Sequence, residues 1–411
     1  MGGEKYMKEP KLRFKADDGK GFPDWDAKRL GTLMSFKNGI NASGDKFGQG
    51  IKCISVMDIL NNPYIMYDVI KGSVDVDEKT LQNFLVEYGD AVFQRSSENV
   101  QDAGRANVYM DKENSATFSG FVIRGKRIAN YEPWFMNAML NTFFVRKQIM
   151  SKAQGAQHIN IGQEILSSVV VKMPSLPEQQ KIADFLSTID TIIEKQRAMI
   201  SAWEERKKGV MQKLFSQEVR FKADDGSDFP DWEEKRLGDV FEERTERSVG
   251  GEELLSVTIS QGVIRQSDSD KRNNSSENKS NYKVVKKNDL AYNTMRMWQG
   301  AEGVSDFDGI VSPAYTVVTP LDGNNGKYFE IFFKQISMLH LFQRYSQGLI
   351  SDTWNLKFPS FAKIKCCVPC EKEQNKIVNC IVLLDTVIQK QKETLEKWQE
   401  LKKGLLQQMF V

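Results

Sequence analysis

Residues 178–215 and 373–410 are two copies of one stretch, aligned without a gap at an offset of 195 (373 − 178 and 410 − 215). In both copies apolar residues recur on a seven-residue period, the pattern of a coiled-coil seam. The a row of the first copy is Ile182, Ile189, Gln196, Trp203 and Val210, and its d row is Leu186, Ile193, Ile200, Lys207 and Leu214. The second copy answers with Ile377, Leu384, Gln391, Trp398 and Leu405, and with Ile381, Ile388, Leu395, Lys402 and Met409. Even the polar interruptions recur, as Gln196 and Gln391 in the a row and Lys207 and Lys402 in the d row. A polar residue in such a seam fixes register at some cost in stability. Helices that share both the seam and its faults are expected to pair with each other, each roughly 50 Å long at about 1.5 Å per residue.

A second repeat precedes each variable stretch. Residues 14–31 (FKADDGKGFPDWDAKRLG) return as 221–238 (FKADDGSDFPDWEEKRLG) at an offset of 207. Because 207 − 195 = 12, the chain between the two repeated blocks is twelve residues shorter in the second half. The protein is thus two tandem halves: a constant leading segment, a variable stretch, a long helix, then the same again. A unit this long, present only twice, is a duplication rather than a solenoid.

The variable stretches, 33–175 and 240–370, differ widely yet share a skeleton. Residues 88–94 (YGDAVFQ) parallel 287–293 (KNDLAYN), a turn carrying Asp followed by a short strand. Residues 120–123 and 314–317 read as a further strand in each half. Gln154-Gly155 and Asn160 parallel Gln347-Gly348 and Asn355, ahead of a strand ending at Pro174 or Pro369. The expected fold is α+β: two mixed α/β domains in tandem duplication, separated by two long helices that form an antiparallel coiled coil. Residues 266–282 are polar and nearly free of apolar side chains, which reads as a solvated loop. Its Lys271, Arg272 and Lys279 face few carboxylates.

The net charge of +2 makes any nucleic-acid surface a local patch, balanced by acidic residues elsewhere. No run approaches the roughly 18 apolar residues of a membrane span. The first ten residues lack a signal-peptide core, and Tyr6 stands where myristoylation needs Ser or Thr. A cytoplasmic location is expected. Five cysteines argue against a disulfide framework. Cys366, Cys367 and Cys370 invite a zinc reading, but their counterparts at the 195 offset are Val171, Lys172 and Ser175. No metal site is expected.

Catalytic motifs are missing. The sequence holds no G-x-x-x-x-G-K-[ST] phosphate loop, and the glycines between 39 and 50 are spaced wrongly for G-x-G-x-x-G. Asn61-Asn62-Pro63-Tyr64 approximates the Asn-Pro-Pro-Tyr motif of amino-methyltransferases, but no Gly-rich methyl-donor site precedes it. Asp24 and Asp26 with Lys28, and Asp231 and Glu233 with Lys235, suggest a metal-dependent nuclease, which needs acidic groups plus a lysine. Here they are contiguous around Trp25 and Trp232, so the aromatic side chains more simply anchor the leading segment.

On these residues the chain resembles the specificity subunits of type I restriction-modification systems. The resemblance rests on the E-Q-x-K-I helix openings, cleanest at residues 178–182, and on the twin Leu30-Gly31 and Leu237-Gly238. It rests also on residues 288–296 (NDLAYNTMR) followed by 311–315 (VSPAY). The second opening departs from the pattern, with Cys370-Glu371-Lys372 ahead of Glu373-Gln374. The resemblance implies two target-recognition domains, 1–176 (with the leading segment) and 218–371, and two spacer helices, 177–217 and 372–411. It implies a non-catalytic subunit that reads a split, asymmetric sequence in double-stranded DNA. Its partners would be two modification subunits and, in the full complex, restriction subunits. S-adenosylmethionine, ATP and Mg would belong to those partners, with no cofactor bound by this chain. The alternatives are a stand-alone DNA methyltransferase or nuclease, and a coiled-coil adaptor that does not touch DNA.

For base contacts the expectation falls on residues just after the shared strand: Gln94, Arg95, Ser96 and Arg105, with Asn293, Thr294 and Arg296. Gln and Asn pair with adenine, and Arg with guanine, through two hydrogen bonds each. The glycine-bearing loops add Gln154, His158, Asn160, Gln347, Trp354 and Asn355. Lys46, Lys152, Arg265 and Lys283 are candidate phosphate contacts. On the spacer helices Lys181, Glu194, Lys376 and Lys390 are candidate partner contacts.

Overall fold

Each variable domain is closed by its own two ends. The computed structural model describes residues 10–153, 155, 159–269, 273, 275–349 and 353–410. They divide into two compact units, one within 1–198 and 392–411 and the other within 199–391. In the first unit, strand Asp26–Arg29 runs antiparallel to Val170–Met173, with Asp26 opposite Met173. In the second, Glu233–Arg236 pairs in the same way with Lys365–Val368. The segment entering a domain is thereby hydrogen-bonded to the segment leaving it.

Between those ends each unit builds a four-stranded antiparallel sheet of the same order. In the first it runs Met34–Asn38, Val122–Arg127, Ala91–Gln94, Ala106–Val108. In the second it runs Phe241–Glu243, Tyr315–Pro320, Leu290–Asn293, Glu302–Val304. Side chains alternate across a strand, and here they divide between two cores. Ala91 and Phe93 join the core beneath helices Pro133–Leu140 and Phe143–Lys152, while Val92 joins a second core. Leu290 and Tyr292 against Ala291 repeat the division.

The Asp-bearing turn ahead of the shared strand has a common cause. Gly89 and Asn288 both adopt a left-handed backbone, with φ of 89° and 73°, which Gly and Asn tolerate best. The aspartate that follows is buried and ties the turn together. Asp90 accepts from the backbone of Glu87 and Arg127, at 3.1 and 2.8 Å. Asp289 accepts from the backbone of Lys286, from Thr319 and, through both oxygens, from Arg244. Burial holds the Asp90 carboxyl above its ordinary range. At the other site the hydrogen bond to Asp289 raises the pKa of Arg244.

Around this frame the additions differ. The first unit adds a three-stranded sheet with Phe47–Ile54 between Ser73–Val74 and Thr117–Phe118. The second adds the hairpin Leu255–Thr258/Gly262–Arg265 and the pair Lys283–Val285/Gly309–Val311.

The two repeats near 178 and 373 form continuous helices, Leu176–Phe215 and Glu371–Met409. Ile182, Leu186, Ile189, Ile193 and Ile200 are buried, as are Ile377, Ile381, Ile388 and Met409. The d-row lysines bond across the seam. Lys207 pairs with Asp385 at 2.5 Å in the second unit, and Lys402 pairs with Asp190 in the first. Going from 190 to 207 on one helix goes from 402 to 385 on the other, equal steps in opposite directions. The helices are therefore antiparallel. Asp190 and Asp385 are themselves equivalent under the 195 offset, so the two ion pairs are one contact made twice.

The helix openings hold the leading segments. Glu178 is fully buried and accepts two bonds from Arg13, at 3.0 and 2.9 Å, and one from Trp25 Nε1 at 3.2 Å. Glu373 receives the same set from Arg220, at 3.1 and 2.8 Å, and from Trp232 at 3.2 Å. Gln179 accepts from the backbone N–H of Glu132 and donates to the Pro174 carbonyl; Gln374 does so with Asn325 and Pro369. The substitution of Cys370-Glu371-Lys372 ahead of Glu373 leaves this clamp intact. Trp25 packs edge-on against Phe135 and Phe410, and Trp232 against Tyr328. The tryptophans anchor, while Asp24 and Asp231 stay in solvent.

Cys366 and Cys367 point to opposite faces of their strand, one buried and one exposed. Burial pushes the Cys366 thiol up to about 12. Among the described residues no group of His, Cys, Asp and Glu is placed to hold a metal ion. Nor, among them, is any helix long and apolar enough to cross a membrane.

Candidate nucleic-acid interface

The residue that follows the shared strand is tied down by its backbone and its side chain in both units. The Arg95 N–H donates to the Phe121 carbonyl at 2.9 Å, and its guanidinium donates to Gly120 at 3.1 Å. Its own carbonyl accepts from Ile161, next to Asn160, at 2.9 Å. In the second unit the Thr294 N–H and hydroxyl both donate to the Ala314 carbonyl, at 3.3 and 2.8 Å. The Thr294 carbonyl accepts from Leu356, next to Asn355, at 2.8 Å. The strand end and the Asn loop, far apart in sequence, form one edge.

In the first unit that edge carries polar side chains beside Phe121, which is 68% exposed. Ser96 and Asn160 face each other across a two-residue ladder, and the Ser96 hydroxyl donates to the Asn160 side-chain carbonyl. Beside them lies a cleft of about 550 Å³ lined by Asn38, Arg95, Asn160, Gln163 and Glu164. Asn38 Oδ1 is buried there without a partner. Gln94, expected at the surface, is only 4% exposed and donates to the Ser96 carbonyl at 2.9 Å. It shapes the edge from behind. Arg105 is exposed beside Asp102 at 3.6 Å and lines a different cavity, with Arg146. Lys46 is exposed, and Lys152 donates to Ser168 at 2.7 Å. Gln154 and His158 lie outside the described residues, as do Lys271 and Arg272.

The second unit's edge is different. Thr294 is 7% exposed, and Asn293 Oδ1 is occupied by the Met295 N–H at 3.0 Å. Arg296 is exposed and donates to Gln299 at 3.0 Å. Gln347 and Asn355 close their loop through paired backbone bonds of 3.0 and 2.8 Å, and Asn355 Oδ1 is buried without a partner. Trp354 packs edge-on against Trp298, with centroids 5.1 Å apart. Alongside Arg296 and Gln347, two apolar side chains project outward: Met295, 44% exposed, and Leu349, fully exposed. Arg265 pairs with Glu253 at 3.1 Å and lies over the Phe307 ring, while Lys283 is mostly covered and pairs with Glu243 at 3.4 Å.

On the spacer helices Lys181 is engaged within the chain, donating to the Lys15 carbonyl at 3.0 Å and pairing with Asp17. Lys376 makes the equivalent bonds to Lys222 and Asp224. Both lysines latch the leading segments. Glu194 pairs with Arg197 at 3.3 Å, and Lys390 is exposed. Arg13 and Arg220 were not anticipated, although each stands one residue ahead of the repeated leading block. Met295 and Leu349, being apolar, carry no hydrogen-bonding signal in the sequence.

Residues 24–200 and 230–397 match the type I restriction modification DNA specificity domain. The chain belongs to that family. It is 26% identical over 238 residues to a putative type I restriction enzyme MjaX specificity subunit of Methanocaldococcus jannaschii, covering 52% of each chain. It is 32% identical over 111 residues to the MjaVIII specificity subunit of the same organism, covering 26% of this chain and 25% of that one. The chain thus spans about half the length, or less, of the curated relatives it matches. The crystal structure of a type I restriction-modification S subunit from M. genitalium superposes over 98% of this chain and 99% of its own, at a TM-score of 0.52 and 14% identity. That likeness supports the fold.

Proposed function

We propose that this chain is the DNA-reading specificity subunit of a type I restriction-modification complex. Its two recognition domains, 1–176 and 218–371, each read one half of a bipartite, asymmetric target in double-stranded DNA. The spacer helices, 177–217 and 372–411, set the unread gap and carry two modification subunits and, in the full complex, restriction subunits. Catalysis, with S-adenosylmethionine, ATP and Mg, resides in those partners, and this chain supplies position. Methylating a base requires taking it out of the stack, a step left to the modification subunits.

One observation carries this reading: an edge with the same backbone ties at Arg95 and Thr294 carries unlike side chains in the two units, Arg95, Ser96, Asn160 and Phe121 in one and Met295, Arg296, Gln347 and Leu349 in the other. A repeated frame with unlike faces suits a reader of two unlike half-sites. Replacing residues 33–175 with another variable domain, in cells carrying the partner subunits, tests it by methylation-site mapping. One half-site is expected to change while the other half and the gap persist. Unaltered methylation would favour an adaptor that does not touch DNA. Methylation or cleavage by the purified chain alone would favour a stand-alone enzyme.

A further inference from the structure

At the second domain's edge several polar groups are spent on the fold itself. The Thr294 hydroxyl is committed to Ala314, Asn293 Oδ1 to Met295, the Trp298 N–H to the Met295 carbonyl at 3.1 Å, and one Arg296 nitrogen to Gln299. Asn355 Oδ1 is sealed from solvent. Beside the exposed Arg296 and Gln347 the edge extends two apolar side chains into solvent: Met295, from the turn after the strand, and Leu349, from the loop that Gln347 and Asn355 close. That loop is fastened to the strand end by the Leu356-to-Thr294 bond and by the Trp298–Trp354 contact. The Leu349 side chain gains nothing from the fold, because no part of it is covered.

In the major groove the one apolar group that distinguishes bases is the C5-methyl of thymine. We propose that the second recognition domain reads a thymine through that methyl, using Leu349 and Met295. The first domain, with Arg95, Ser96 and Asn160 at the equivalent edge, reads by hydrogen bonds. This assignment rests on the DNA-reading function proposed above and adds the base class for one half-site.

The test uses the full chain assembled with its modification subunits and synthetic duplexes carrying the target found by methylation mapping. Each thymine of the second domain's half-site is replaced in turn by deoxyuridine, which removes the methyl and keeps the pairing. Loss of one such methyl is expected to weaken binding by about fourfold at one position. In Leu349→Ser or Met295→Ser that penalty should fall toward unity, with the melting temperature unchanged in Leu349→Ser, whose side chain is fully exposed. Deoxyuridine in the first half-site should matter less. The proposal is overturned if no thymine occurs in the half-site, if no replacement weakens binding, or if both variants keep the full penalty. A complex that binds the mapped target no better than unrelated DNA would instead overturn the DNA-reading function itself.

Discussion

The two domains agree where they meet the helices and diverge where they face outward. Glu178 and Glu373 gather the same arginine and tryptophan at nearly the same distances, and Gln179 and Gln374 bridge the same backbone positions. At the far edge the chain path is again shared, yet Arg95 and Ser96 stand where Thr294 and Met295 do. Duplication has therefore kept those side chains that hold backbone to backbone and released those that do not. A residue's chemistry alone does not say to which class it belongs: Thr294 is polar and structural, while Leu349 is apolar and free.

Several substitutions can break or sharpen that contrast. The strongest effect is expected at the clamp. Glu178→Ala or Glu373→Ala strands a mostly covered arginine and a tryptophan N–H, and each should cost about 3 kcal/mol. Chemical denaturation should give nearly equal losses, because the clamps are copies; a large inequality would show that their resemblance is only geometric.

Next comes a position where the copies disagree inside the sheet. Glu302 stands opposite Tyr292, and Ala106 stands opposite Phe93. Glu302 is fully buried, neither carboxyl oxygen has a hydrogen-bond partner, and the nearest cation is Lys334 at 3.8 Å. Burial drives its carboxyl well above the ordinary 4.5. A group whose folded pKa is raised contributes stability that is complete below its unfolded value and is lost as pH rises through the folded one. The second domain should therefore weaken from mildly acidic toward alkaline pH. Glu302→Gln should remove that slope and stabilise the domain at neutral pH by about 1–2 kcal/mol. Denaturation midpoints at about pH 5 and about pH 8 would decide it.

The smallest effect is expected in the seam. Lys207→Ala and Lys402→Ala each remove a part-exposed ion pair, worth about 0.5–1 kcal/mol. The Lys402–Asp190 pair should be the stronger, since Asp190 is 25% exposed and Asp385 54%. Double-mutant cycles on the two pairs, repeated at high salt, would measure the difference.

The sequence made the frame legible because duplication supplied an internal control. The seam, its lysine interruptions and the Asp-bearing turns were visible as recurrences. What the recurrences meant was partly hidden. The seam lysines were marked as faults, yet each reaches an aspartate two turns of sequence logic cannot place, because Asp190 and Asp385 lie off the a and d rows. Lys181 and Lys376 looked like polar-face residues and proved to be latches, since their partners, Asp17 and Asp224, are more than a hundred residues away. The edge that joins the strand end to the Asn loop was legible as a region. Which side chains face outward there was not, because a turn interrupts the strand's alternation just where Gln94 bonds to the Ser96 carbonyl and Thr294 to the Ala314 carbonyl.

The pairing of Asp26–Arg29 with Val170–Met173, and of Glu233–Arg236 with Lys365–Val368, has an architectural consequence. Strands in such a ladder lie about 5 Å apart, so each reader leaves the scaffold and rejoins it at almost the same point. It is a cassette plugged into a socket, and its internal length is invisible to the rest of the protein. That is how one half can be twelve residues shorter (207 − 195) while its helix stays in phase with its twin.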